Sequence, residues 1–238
     1  MRISHARLVL LAVVLGCATT LPALRVRGQW DKKPFRQWTS EEAEAVLIES
    51  PWAQTVNPAA VVGGLSTDTA VSGAPVIIRL RSALPVRQAL ARLRETKAKY
   101  DKMSDKDKAG IDEKNKPLLE CEPCADYYIV TVSPGPSSSR GIPTKFQTLT
   151  LDQAKLTVFL KNEKGETREL VNVVNPKAVA QEAVFFFARF DSAGAPLISP
   201  ANRKVIVNFS PAVFATANGI TNFEFDVGKM IVNGKVVF

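Results

Sequence analysis

Large apolar side chains are densest in residues 183–190, where Val184, Phe185, Phe186, Phe187 and Phe190 fall within seven positions. Such a run predicts a strand covered on both faces. Residues 204–209 alternate instead, with Val205, Val207 and Phe209 on one side and Lys204 and Asn208 on the other, which predicts a strand with one wet face. Asp191, Ser192, Gly194 and Pro196 between them are turn formers. Residues 183–211 therefore read as two strands joined by a polar turn, at the centre of a β-rich core.

The same periodicities run through the rest of the chain. Strand patterns cover residues 75–81, 127–132 and 223–227, and a hairpin is expected from residues 156–161 through a turn at 162–165 to a return strand at 168–174. Asn233-Gly234 closes a final hairpin between residues 230–232 and 235–238, because glycine and asparagine supply the positive φ of a type I′ turn. Helical signals are fewer. Thr39 with Glu42 makes a capping box for a helix that buries Ala43, Val46 and Leu47 and stops at Pro51. Ser82 caps a second helix, with Pro85 in its first turn and Val86, Ala89, Leu90 and Leu93 on one face. Ser104 with Asp107 starts a third within the mixed-charge residues 97–116. About eight short strands, mostly joined by hairpins, predict a mainly β (α+β) chain: an antiparallel β-sandwich-like domain with an N-terminal helix and an inserted helical hairpin.

The organisation expected is a signal peptide at 1–28, a Trp-rich helical segment at 29–53, a linker at 54–74 and the sandwich-like domain at 75–238, its helical insertion at about 83–116. Residues 1–7 are short and basic, and residues 8–24 are apolar, which is the pattern of a secretory signal. Val26 and Gly28 suit cleavage before Gln29. Val14-Leu15-Gly16-Cys17 also resembles a lipobox, so Cys17 is a candidate lipidation site and the only route to a membrane. The chain of 238 residues carries a formal charge of +8, but residues 1–28 hold four arginines and no acid. Without them 27 basic groups face 23 acidic ones, a balance that speaks for solubility rather than for nucleic acid.

The decisive chemical feature is an absence. His5, in the signal segment, is the only histidine, so imidazole-based nucleophilic catalysis and His-ligated zinc have no residues in the exported part. Cys121 and Cys124 form a C-x-x-C without a second ligand pair, and a strand rather than a helix follows them. A structural disulfide fits this pattern in an oxidising compartment, with thiol-disulfide redox chemistry as the alternative. No cofactor-binding motif is present. Trp30, Trp38 and Trp52 lie in or beside the first helix, where they dock it on the sheet or form an aromatic platform. At helical spacing Arg87 and Arg94 flank one side of the second helix, and Arg92 and Lys99 the other; with Arg79 and Arg81 they are a candidate surface for an anionic partner, read against solvated charges with no partner.

Phe35-x-x-Trp38-Thr39, Ser50-Pro51-Trp52-Ala53, the apolar residues 185–189 and Lys229-Met230-Ile231-x-x-Gly234-Lys235 together resemble a group of secreted proteins of soil bacteria to which no activity is assigned. The resemblance implies export and one architecture, and no mechanism. The expectation is an exported periplasmic or extracellular domain of non-catalytic binding or structural role, its partner an envelope protein or glycan. A thiol-disulfide protein using Cys121 and Cys124 is the alternative, and a carboxylate-based glycan hydrolase the weaker one.

Overall fold

The computed structural model of the chain describes residues 30, 32–58, 74–135, 142–178, 181–232 and 234–238. The expected signal segment, Cys17 and most of the expected linker lie outside these residues. The fold is mixed α+β, about 35% helical and 30% strand, with antiparallel sheets.

Helix α1 (Ser40–Ile48) opens with the Thr39–Glu42 capping box and buries Ala43, Val46 and Leu47. Strands β1 (Ala53–Val56) and β2 (Val76–Leu80) follow, then helices α2 (Leu84–Lys97) and α3 (Asp105–Glu120), then β3 (Tyr127–Pro134). Helix α4 (Leu151–Thr157) leads directly into β4 (Val158–Asn162), and β5 (Thr167–Arg168), β6 (Leu170–Val174), β7 (Ala183–Ala188), β8 (Lys204–Phe209) and β9 (Asn222–Asp226) complete the sheets. A last hairpin joins β10 (Ile231–Val232) to β11 (Lys235–Val236), with Gly234 at φ 75°.

Two main sheets result, ordered β1-β2-β3-β7-β6 and β5-β4-β8-β9. Paired residues share a face, so register assigns the sides of the larger sheet. Leu80, Val130 and Phe185 align on one face, as do Ile78, Val132 and Ala183. That face meets β8: the Phe185 ring lies 6.0 Å from the Phe209 ring, and Phe146 packs against both. The chain passes between the sheets at Glu169, where β5 ends beside β4 and β6 begins beside β7. On the opposite side Gln54 of β1 donates to Glu224 O of β9, linking the two outer strands.

Six sequence expectations change. Residues 183–211 are not a hairpin, because β7 and β8 belong to different sheets. Nor is β7 covered on both faces: Ala183, Phe185 and Phe187 are buried, whereas Val184 and Phe186 are half-buried on the outer face. The expected linker begins inside a strand, since β1 pairs with β2. Residues 156 and 157, expected to open a strand, end α4, whose capping box is Thr150 with Gln153, and Leu156 is 77% exposed rather than inward. Ser82 does not cap α2; its hydroxyl accepts from Ile129 N, and Ala83 takes the cap position. The helical insertion runs to Glu120 rather than 116.

Candidate functional site

The outer face of the larger sheet carries a polar row that sequence periodicity could not assemble. Arg79 pairs with Thr131, which pairs with Val184, which pairs with Val174; Ile77 pairs with Ser133. Helix α1 ends over this face. Arg79 Nε donates to Leu47 O at 2.6 Å, and Thr55, opposite Ile77, donates to Ile48 O at 3.0 Å. A cation at the last carbonyls of a helix complements the negative end of its dipole.

Beside this contact lies a groove of about 680 Å³. Its floor is Arg79, Ser133 and Glu182, and its far wall is Val174, Asn175, Lys177 and Gln181, from the connection between β6 and β7. The wall is anchored. Asn175 Nδ2 donates to Phe146 O and Leu149 O at 2.9 and 2.8 Å, and Lys177 N donates to Gln181 Oε1 at 2.7 Å. Arg79 Nη1 donates to Ser133 Oγ at 2.7 Å and lies 4.0 Å from Glu182 Oε2. Glu182 is held mainly by Arg81, which donates to its Oε1. Burial pushes the Arg79 guanidinium down to about 10, with Glu182 opposing the shift and Arg81 adding to it.

Ser133 Oγ therefore accepts from a cation and, among the described residues, hydrogen-bonds to no side chain that could act as a general base, which is the reverse of nucleophile activation. The carboxylates near strand ends are each engaged separately. Asp191 accepts from Ala193 N and Ala195 N in its own turn, Glu224 pairs with Lys204, and Asp226 with Lys229.

The six basic residues weighed as a candidate surface for an anionic partner are divided by the fold. Arg79 and Arg81 join the groove region. Arg87 and Arg92 are 8% and 7% exposed, so they cannot display charge to a macromolecule. Arg87 donates to Ser82 O and to Leu119 O, satisfying the last turn of α3, and burial beside Arg189 lowers its pKa. Arg92 donates to Trp38 O and pairs with Asp101 and Glu95. Arg94 and Lys99 remain exposed, Lys99 at φ 60°. The spacing along α2 was right in angle, but α1 and α3 cover both flanks.

Cys121 and Cys124 lie at disulfide distance, with Cα atoms 5.3 Å apart. Cys121 is the C-cap of α3, and only a four-residue turn of 3-10 helix follows it. The end of α3 carries the negative pole of its dipole, which disfavours a thiolate. Cys124 is 7% exposed, and its carbonyl accepts from Arg189 at 2.9 Å. The tryptophans dock rather than display: Trp38 and Trp52 are 1% and 0% exposed, and Trp52 Nε1 donates to Val237 O.

Ser133, Asn175, Lys177, Gln181 and Glu182 were not singled out in the sequence, where each is an ordinary polar residue at a strand end. Among the described residues no group of three His, Cys, Asp or Glu side chains could hold a metal ion, and no helix is long and apolar enough to cross a membrane. The chain matches no protein-family model, no curated protein and no solved structure.

Proposed function

We propose that this protein is an exported domain of the bacterial envelope that binds a ligand without transforming it, in the groove at Arg79. Export rests on the basic and apolar pattern of residues 1–28. We read the two sheets as the layers of an antiparallel β-sandwich, with α1 as its N-terminal helix and α2 with α3 as an inserted helical hairpin. The 6.0 Å approach of Phe185 and Phe209 supports that reading. Binding rests on one observation: a groove of ligand size lined by anchored polar side chains around a partly buried guanidinium. Among the described residues its lining has a cation facing the hydroxyl of Ser133 and no acid-base pair placed to run a reaction.

Cosedimentation of the purified protein with isolated cell-wall polysaccharide tests this, followed by assay of the supernatant for released sugars. Binding without release is expected, and it weakens in the Lys177→Glu variant. Sugar release would replace binding with hydrolysis, and full binding by the variant would move the site elsewhere. Intact mass from native cells tests export, with Gln29 or an acylated Cys17 as the expected first residue.

A further inference from the structure

We infer that the groove selects a carboxylate group, taken up by the Nη2 edge of Arg79 and the Lys177 ammonium; this rests on the binding reading above. The charges of the lining do not cancel. Among the described residues Glu182 is its one acid and is engaged by Arg81 from the side, which leaves Arg79 and Lys177 in excess. Of the Arg79 donors, Nε is given to Leu47 O and Nη1 to Ser133, while Nη2 has no acceptor among the described residues. The remaining Nη2 group can give a carboxylate oxygen a charge-assisted hydrogen bond, which the partial burial of the guanidinium strengthens.

The neighbouring amides are already oriented. Asn175 uses both Nδ2 hydrogens on main-chain carbonyls, so its Oδ1 is what remains for a ligand. Gln181 uses Oε1 on Lys177 N, so its Nε2 remains. The groove thus presents cationic and amide donors with a single amide acceptor, on a scaffold that three main-chain contacts hold in place. Its volume suits a ligand of one or two sugar or amino-acid units. An acidic sugar and a peptide C-terminus share this chemistry.

Isothermal titration of the full protein separates them. Glucuronate is compared with glucuronamide, and N-acetyl-alanyl-alanine with its C-terminal amide. In the arm that names the source, the carboxylate binds about tenfold tighter than its amide, the difference expected for one charge-assisted contact. Glu182→Gln keeps the side-chain shape, removes the competing acid and tightens the carboxylate several-fold, whereas Lys177→Ala weakens it. The tightening is the sharper readout, because a folding defect cannot produce it. Equal binding of acid and amide in both arms overturns the inference, and so does an unchanged affinity in Glu182→Gln. If the protein still sediments with polysaccharide in either case, the binding reading stands and only the carboxylate assignment falls.

Discussion

The rings of Phe185 in β7 and Phe209 in β8 meet edge to face, 6.0 Å apart at an interplanar angle of 70°. The two residues come from strands that are neighbours in sequence and lie in different sheets. Phe209 also contacts Phe146, Phe214 and Phe223, so one side chain touches rings from a strand of each sheet and from the segments between strands.

Phe209→Ala should therefore cost about 3–5 kcal/mol, the range for removing a fully buried aromatic ring. Leu156→Ala, at a position 77% exposed, should change stability by less than about 0.5 kcal/mol. Urea denaturation of both variants checks the pair. Equal costs would mean that Leu156 faces the core and that the strand expected from alternation does begin at residue 156.

Arg92 and Arg94 are two residues apart on α2 and opposite in consequence. Arg92→Ala leaves Glu95, 0% exposed, without its nearest cation on α2 and frees Trp38 O, so a loss of about 3 kcal/mol is expected. Arg94→Ala should stay within about 0.5 kcal/mol. Similar small effects for both would restore the basic surface read from helical spacing.

Glu95 also sets a pH dependence. Burial raises its pKa, against the opposing pull of Arg36 and Arg92. A carboxyl with a raised pKa in the folded state binds its proton more tightly there than in the unfolded chain. Its contribution is therefore complete below the unfolded value of 4.5 and is lost as pH rises through the higher folded value. Asp101, lowered by its hydrogen bond from Arg92, acts oppositely and loses its contribution as pH falls below 3.8. Urea midpoints between pH 4 and 7 should show the wild type gaining on Glu95→Gln as pH falls. A constant difference across that range would mean that Glu95 titrates as it does in water.

The disulfide encloses few residues, so its loss should be mild. Cys121→Ser with Cys124→Ser is expected to cost at most about 2 kcal/mol by loop-closure entropy, with the fold retained. Circular dichroism and urea titration read this out. Unfolding of the double variant would show that the turn after α3 depends on the bond rather than on Arg87 and Arg189.

Removing the α4 cap tests an element that alternation concealed. Thr150→Ala should cost about 1 kcal/mol, because Thr150 Oγ1 accepts from Gln153 N and the Gln153 side chain accepts in return. No change would place residues 151–157 outside a capped helix.

Local chemistry, by itself, determined the elements whose signals lie within a few residues. The Thr39–Glu42 box, Pro85 in the first turn of α2, the Ser104 cap, the Asp191 turn and the alternation of Val205, Val207 and Phe209 each specify a backbone state through neighbours along the chain. The lack of histidine outside residue 5 likewise narrowed the chemistry without any coordinates. Tertiary structure alone decided which sheet each strand joins, because a strand's pattern states that one face is buried and not what buries it. It sent β7 and β8 to opposite sheets, and it turned Arg87 and Arg92 inward to the carbonyls that α3 and the Trp38 segment leave unpaired. The groove belongs to the same level. Arg79, Ser133, Lys177 and Glu182 are separated by up to about a hundred residues and meet only because β2, β3 and β7 pair in register beneath the end of α1.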